Sequence, residues 1–305
     1  MILCCGEALI DMIPDSNGAF VPHAGGAVFN TAIGLGRQDI DVGLLSGVST
    51  DLFGQVLVQS LEESGVATNH LIRFKRPTTL AFVTLTDGKA QYAFYDENTA
   101  GRMLLSADLP DALANNVEAL FFGGISLAVE PCADFYLEML KANAPRQLIM
   151  LDPNIRPQFI ADETRYRARL TQFLELTDVL KISDEDLDWV DPSDADLKSK
   201  VEKILDLGPR LVCLTLGEHG VEVFSRDGLV AKTTPIPVTV IDTVGAGDAF
   251  NAGFLTSLSR NGALSKETIT TLPEADLQKA IEFATAFATD TVTRQGSDPA
   301  WRFKV

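Results

Sequence analysis

Ile241-Asp242-Thr243-Val244-Gly245-Ala246-Gly247-Asp248-Ala249-Phe250 joins two textures of the chain. Before it stands an apolar, β-branched run (Val238, Val240, Ile241). After it, apolar residues recur at helical spacing (Phe250, Phe254, Leu255, Leu258). The pattern predicts a strand or loop, a glycine turn, and a helix with Asp248 in its first turn. Amides at a helix start lack partners and sit at the positive end of the helix dipole. Two glycines let a ligand come close to that backbone. Alone, Asp248 reads equally as a carboxylate that stabilises its own helix and as one that does chemistry.

Working outward, strand-like runs alternate with helical ones. Leu120-Phe121-Phe122 precedes a helix near Asp134 to Lys141, and Leu148 to Leu151 ends at Asp152-Pro153-Asn154 before a helix near Glu163 to Leu174. Val179 to Ile182 ends at Ser183-Asp184, and Leu211 to Leu216 ends at Gly217-Glu218-His219-Gly220. Glu274 to Thr293 reads as a last amphipathic helix. This spacing predicts βαβ units and a mostly parallel sheet, with polar residues gathered at the strand ends where open α/β sheets bind ligands. In the first third, Ile2 to Ile10 reads as one strand with Asp11 just beyond it. Asp15-Ser16-Asn17-Gly18 reads as a hairpin turn, and Gly25-Gly26 opens a helix carrying Asn30. Val42 to Leu45 is a strand, and Asp51 and Gly54 precede a helix. From Leu71 to Ala100 helical periodicity disappears. Thr78 to Thr86 alternates, Asp87-Gly88 signals a turn, and Gln91 to Tyr95 returns, which predicts a separate small sheet.

There is no GxxxxGK[ST], and neither Gly245-Ala246-Gly247 nor Gly34-Leu35-Gly36 continues into the third glycine of a dinucleotide fingerprint. What remains are carboxylates (Asp248, Asp11), a carboxamide (Asn30), an amide turn and an arginine after a strand (Arg156). Carboxylates and amides suit sugar hydroxyls, and the turn with Arg156 suits a transferring phosphoryl group.

These residues carry a resemblance. Asp242 to Asp248 matches the D-T-x-G-A-G-D signature of the ribokinase/PfkB carbohydrate kinase family. Gly25-Gly26-Ala27-Val28-Phe29-Asn30 resembles its N-terminal signature, and Thr215 to Gly220 its T-x-G-x-x-G segment. The resemblance runs over nearly the whole chain. It implies a single α/β domain over 1–305, a ribokinase-like three-layer sandwich with a mostly parallel central sheet and a small β-sheet lid from about 12–24 and 71–100. It implies ATP and Mg²⁺, with Asp248 as general base and Gly245, Ala246 and Gly247 as anion hole, assisted by Arg156. Asp11, Gly25, Gly26, Asn30, Tyr95, Asn98 and Arg156 would hold the sugar. Lys181, Ser183, Thr215, Gly217, Gly220 and Thr285 would line the nucleotide. The family's N-x-x-E appears as Ser183-Asp184-Glu185-Asp186, so Asp186 or Glu185 would serve the metal indirectly. A K⁺ site near Asp242 and Gly296 belongs to the same resemblance.

Within the family, Asp152-Pro153-Asn154-Ile155-Arg156 and Asn98-Thr99-Ala100 look most like fructokinases and 2-keto-3-deoxygluconate kinases. In the latter an arginine follows the lid tyrosine. Here Tyr95 is followed by Asp96, which should repel a carboxylate substrate. The expectation is therefore phosphorylation of fructose at its 6-hydroxyl. Another PfkB-type kinase, such as a ribokinase, is the alternative within the class. A non-catalytic sugar-binding regulator is the alternative outside it, and the intact turn and Asp248 argue against that.

Composition bounds the rest. The 305 residues are 46% hydrophobic and carry a formal net charge of −17, which disfavours nucleic acid and anionic membranes. No apolar run reaches the ~18 residues of a membrane span, and the first residues lack a secretory signal's pattern. Cys4, Cys5, Cys132 and Cys213 show no CxxC spacing, and His23, His70 and His219 are far apart. Free thiols in a reducing cytoplasm are expected. A lid with an exposed apolar face predicts a homodimer through the lid.

Overall fold

A computed structural model gives the fold for residues 1–86 and 89–304, with the side chains of 83–92 left undescribed. The turn expected at Asp87-Gly88 lies outside the described residues. The elements in chain order are β1 (Ile2–Cys5), β2 (Leu9–Pro14), β3 (Phe20–Gly25), α1 (Ala27–Arg37), β4 (Val42–Leu45), β5 (Gly47–Ser49), α2 (Leu52–Glu63), β6 (Ile72–Phe74), β7 (Leu80–Thr86) and β8 (Lys89–Tyr95). The βα part follows with β9 (Ala119–Gly123), α3 (Cys132–Asn143), β10 (Leu148–Asp152), α4 (Glu163–Leu176), β11 (Val179–Ser183), α5 (Asp184–Val190), α6 (Leu197–Leu207) and β12 (Leu211–Thr215). The chain ends with β13 (Val221–Ser225), β14 (Gly228–Thr233), α7 (Ala246–Arg260), α8 (Lys266–Thr270) and α9 (Glu274–Thr291).

The central sheet has the order β14-β13-β12-β11-β10-β9-β1-β4. It is parallel from β4 to β12, and β13 and β14 add an antiparallel edge. The parallel strands are mostly apolar because both faces are covered, with polar residues such as Asp152, Lys181, Ser183 and Thr215 towards their C-terminal ends. Ile2, Cys4, Phe121 and Met150 pack against α1, α7 and α9 on one face. Leu3, Cys5, Phe122 and Leu151 pack against α3, α4 and α6 on the other. The result is a three-layer α/β sandwich.

A second sheet, ordered β3-β2-β7-β8, stands apart, and β5 and β6 form a two-stranded ribbon. Within 71–100, Ile72–Phe74 therefore pairs with Gly47–Ser49, and only Leu80–Thr86 and Lys89–Tyr95 join the four-stranded sheet. Ile2 to Ile10 is not one strand but two. The chain leaves the central sheet after Cys5, where a side chain at Gly6 would come within 2.4 Å of Val28 Cγ2, and Leu9 begins the small sheet. Asp11 is accordingly inside β2 rather than beyond a strand end. Gly54 lies inside α2, whose cap is Asp51. The run before the glycine turn is loop, with Ile241 N–H donating to the Val292 carbonyl. Among the described residues no helix is long and apolar enough to cross a membrane, and the four cysteines are buried and unpaired.

Candidate active site

The C-terminal ends of β1, β10, β11 and β12, the N-termini of α1 and α7 and the inner face of the small sheet surround one cleft of about 1190 Å³. α7 starts at the glycine turn. Gly245, its N-cap, has φ 79°, and a side chain there would strike Ser297. Among the described residues the N–H groups of Gly245, Gly247 and Asp248 have no partner, whereas Ala246 donates to the Thr243 carbonyl at 3.3 Å. The anion hole expected over Gly245 to Gly247 thus has its open donors at Gly245, Gly247 and Asp248, not at Ala246.

Asp248 is buried, and Asn30 Nδ2 of α1 donates to its Oδ2 at 2.9 Å. The two helices can meet so closely because Gly34 faces Ala252, where a side chain would come within 2.6 Å of the alanine Cβ. Burial pushes the Asp248 carboxyl up to about 7; the Asn30 hydrogen bond opposes this, Asp152 adds to it, Lys181 opposes it and Glu7 adds to it. A carboxyl poised near neutrality suits a general base.

Beneath the turn lies a buried polar triad. Asp152 Oδ2, at the end of β10, accepts from Lys181 Nζ of β11 at 3.1 Å and from Asn251 Nδ2 of α7 at 2.7 Å. Burial alone would lower the Lys181 pKa, but Asp152, Asp186 and Asp248 around it hold it above its ordinary value. The ammonium is 3.0 Å from where a side chain on Gly247 would begin, so this cation sits directly under the amides. The motifs do not mark Glu7 or Asn251, and Asp152 stands in the Asp152–Arg156 segment without a role assigned to it. A carboxamide one turn after Asp248 on a helix face otherwise shared by Phe250 and Phe254 is the only signal for Asn251.

On the sugar side Asp11 faces the cleft from β2. Burial pushes its carboxyl up to about 6, and Gly25 is glycine because any side chain there would overlap Asp11 Oδ2. Gly26 and Asn30 line the same end. Tyr95 does not. β8 alternates, so Phe94 faces inward with Asp11 while Tyr95 lies on the opposite face, 64% exposed and edge-on to Phe82. Phe94 instead meets Phe159 edge-to-face at 4.0 Å, joining the small sheet to the turn after Arg156. Asn98, with φ 57°, is exposed and outside the cleft. Asp96 is also outside it and pairs with Arg102 at 3.0 Å, so its charge is not presented to a substrate. Arg156 lies exposed along the cleft and donates only to its neighbour's carbonyl, that of Ile155, at 3.0 Å.

A model of the pfkB family of carbohydrate kinases matches residues 1–302. The chain belongs to this family. It is 46% identical over 283 residues to a fructokinase of Rhizobium leguminosarum bv. trifolii, covering 91% of this chain and 86% of that one. It is 31% identical to probable fructokinase-7 of Arabidopsis thaliana, covering 98% and 89%. A crystal structure of a fructokinase from Xylella fastidiosa with bound ATP has a TM-score of 0.90 at 29% identity, covering 97% and 93%.

In this pfkB-family chain the end of the cleft away from Asp11 is built from Thr215, Gly217 and Gly220 after β12, and from Thr285 of α9. Thr285 Oγ1 is buried without a partner among the described residues. Ser183 lines the cleft, but its hydroxyl is engaged as the cap of α5, accepting from Asp186 N–H at 3.1 Å. Asp186 is buried, and its Oδ1 accepts from Ile155 N–H at 3.1 Å. Burial and Asp152 push its carboxyl up to about 6 against Lys181, Arg156 and Ser183. Glu185 is exposed on the cleft wall. Asp242 accepts from Val244 N–H at 3.0 Å and from Gly296 N–H at 2.9 Å, tying the loop before the turn to the loop after α9.

Proposed function

We propose that this carbohydrate kinase is an ATP-dependent fructokinase that transfers the γ-phosphoryl group to the 6-hydroxyl of fructose. The observation that carries phosphoryl transfer is Asp248, buried and held by Asn30 at the head of α7, with open amides beside it. The choice of fructose rests on the 46% identity to a fructokinase across nine-tenths of the chain. Asp248 takes the hydroxyl proton as the sugar oxygen bonds to the γ-phosphorus, the bond to the β-phosphate oxygen breaks, and ADP leaves. The amides of Gly245, Gly247 and Asp248 and the Lys181 ammonium beneath them stabilise the charge that develops on the phosphoryl oxygens. Arg156, free of any carboxylate partner among the described residues, is placed to meet the nucleotide or the transferring group from the cleft wall.

Asp11, Gly26 and Asn30 hold the sugar, and Thr215, Gly217, Gly220, Thr285 and Ser183 line the nucleotide. The small sheet, β2-β3 with β7-β8, acts as the lid, and the Phe94–Phe159 contact is where it bears on the body. A closed lid keeps water from competing for the phosphoryl group. Mg²⁺ fits the donor set. Among the described residues no cluster of three or more candidate ligands exists, while Glu185 and Asp186 offer carboxylates at the cleft. Such a site suits a cation that keeps its waters and binds through phosphates with one or two carboxylates. When bound, Mg²⁺ supplies charge neutralisation on the phosphates. K⁺ at the Asp242–Gly296 junction, a cytoplasmic setting and a homodimer complete the reading. The dimer surface is the outer aromatic row Phe20–Phe82–Tyr95, with Phe20 41% exposed.

The test is ADP release from ATP and Mg²⁺ with a panel of fructose, ribose, glucose and 2-keto-3-deoxygluconate, with the product's phosphate position read by NMR. Fructose 6-phosphate as the fastest product supports the reading. Faster turnover of another sugar overturns the substrate, and no turnover with any sugar overturns the kinase in favour of a sugar-binding regulator.

A further inference from the structure

The bend between β1 and β2 places a carboxylate, Glu7, at a junction the signatures do not mention. The side chain is buried, at 8% exposure, and sits at the rear of the cleft. Its Oε1 accepts from Ala27 N–H at 3.0 Å, and its Oε2 from Ser126 N–H at 3.4 Å. Ala27 is the first residue of α1, whose N-cap, Gly26, has no side chain with which to cap it. Glu7 thus does from a distance of twenty residues what a serine or aspartate usually does locally at a helix start. The surroundings are shaped to it. Gly124, with φ 68°, would place a Cβ 2.0 Å from Glu7 Oε1, so any other residue there would displace the carboxylate. Tyr136 holds the bend from behind, its hydroxyl donating to the Gly6 carbonyl at 3.0 Å.

The helix that Glu7 anchors presents Asn30, one turn on, to Asp248. On the α7 side the first turn is tied by Asn30 Nδ2 and, at 3.4 Å, by the Thr31 hydroxyl, which donates to the Asp248 carbonyl as well as back to that of Ala27; among the described residues Glu7 is the side chain that ties it on the opposite side. We propose that Glu7 is a positioning residue of the phosphoryl-transfer site, pinning the first turn of α1 to the 124–126 turn so that Asn30 stays on Asp248. The proposal rests on the kinase reading for its consequence on rate, but the placement of Asn30 can be measured without turnover.

The experiment is a double-mutant cycle with Glu7→Ala and Asn30→Ala, with Glu7→Gln as the conservative variant. Glutamine keeps an oxygen for Ala27 N–H but turns an NH₂ or loses an acceptor toward Ser126. With the best sugar of the panel, Glu7→Ala is expected to lower kcat about tenfold, with a smaller change in sugar KM. Glu7→Gln is expected to recover most of that loss. In the Asn30→Ala background Glu7→Ala should add less than about twofold, since residues acting through one contact are not additive. Thermal unfolding of each variant separates this from loss of fold, because a purely structural role would lower stability equally in both backgrounds and leave the kcat effects additive.

The second readout is the Asn30 side-chain amide signal in NMR, followed against pH. In the unmodified protein it is expected to follow the ionisation of Asp248, which is faced by Asn30 from α1, Asp152 from β10, Lys181 from β11 and Glu7 from the β1–β2 bend. In Glu7→Ala that titration should disappear from the Asn30 signal. Additive kcat effects, or an Asn30 signal that titrates unchanged in a folded Glu7→Ala protein, would overturn the proposal. Absence of any kinase activity would overturn only the functional reading, and the NMR arm would still decide the role of Glu7.

Discussion

Proton uptake by Asp248 should set the acid limb of activity. Its carboxyl stands at about 7 in the fold against an ordinary 3.8, with burial as the main cause. At pH 6 only about a tenth of the molecules then carry the ionised base, and at pH 8 about nine-tenths do, so kcat/KM for the sugar should rise about tenfold across that interval. Stability should move the other way. A carboxyl whose folded pKa is raised holds its proton more tightly in the folded state. The contribution is therefore favourable at low pH and is lost as pH rises from about 4 through about 7. The gap between 3.8 and about 7 corresponds to at most about 4 kcal/mol. Asp248→Asn should thus unfold at higher temperature than the unmodified protein at pH 8, with the difference shrinking towards pH 4. It should also lose turnover by about 10²–10⁴-fold while still binding sugar. Initial rates at saturating nucleotide from pH 5.5 to 8.5, with scanning calorimetry of both proteins across the same range, check both limbs. A flat rate profile between pH 6 and 8, or an asparagine variant less stable at pH 8, would refute the assignment of Asp248 as a buried, neutral-range base. Asp11 and Asp186, each pushed up to about 6, titrate at the lower edge of this window and steepen only its lower part.

Three further outcomes follow from particular contacts. Lys181→Met removes the only cation bonded to Asp152 among the described residues and should cost about 3–5 kcal/mol in chemical denaturation, because Asp152 is 2% exposed; less than about 1 kcal/mol would mean that breaking the pair leaves no uncompensated buried charge. Phe94→Ala removes the ring that meets Phe159, a contact of about 0.5–1.5 kcal/mol beyond its area, and should raise sugar KM about three- to tenfold and increase sugar-independent ATP hydrolysis. Unchanged values for both would detach this contact from lid closure. Phe20→Asp, on the outer aromatic row, should convert a dimer to monomer in sedimentation velocity without altering sugar affinity; an unmodified protein that sediments as a monomer removes that surface from consideration.

The glycine turn at the head of α7, the parallel sheet and helix α1 after Gly25-Gly26 were legible because each is encoded locally. A glycine turn and its acid must be adjacent in sequence to share one helix start, and buried parallel strands read as unbroken apolar runs. What stayed hidden depends on partners far along the chain. Tyr95 and Phe94 are neighbours in sequence, and only the pairing of β8 with β7 and β2 decides which of them faces Asp11, since a one-residue change of register exchanges the two faces. Asp96 looked like a charge offered to the substrate, but Arg102, six residues on, neutralises it in a turn that no periodicity announces. The break at Gly6 was hard to see because Ile2 to Ile10 is apolar apart from Gly6-Glu7 and carries no strong turn signal; a side chain at Gly6 would meet Val28, a contact between residues far apart in sequence. The β13–β14 hairpin and α6 also carry no motif, although Arg226-Asp227-Gly228 has turn composition.

With Asp96 paired, selection against acidic sugars falls to the cleft itself. Its described lining carries seven carboxylates and two Lys/Arg cations, Arg156 and Lys181, in a chain of net charge −17. Lys181 is already committed to Asp152, so the field at the sugar end, between Asp11, Glu7 and Asp248, is negative wherever those groups are ionised. A neutral ketohexose enters that field at no electrostatic cost and brings hydroxyls that carboxylates bind well; a sugar acid enters against it. The nucleotide faces the same obstacle at the other end, which accounts for the form of the site there. Unpartnered backbone amides at the head of α7 are donors there, and on the proposed reading a divalent cation bound to the phosphates would offset the ligand's encounter with Glu185 and Asp186. On the proposed reading an acidic cleft and a phosphate substrate are compatible because the open amides of the helix start, with Lys181 beneath them and Arg156 on the cleft wall, face the phosphates, which leaves the sugar-end carboxylates available for sugar.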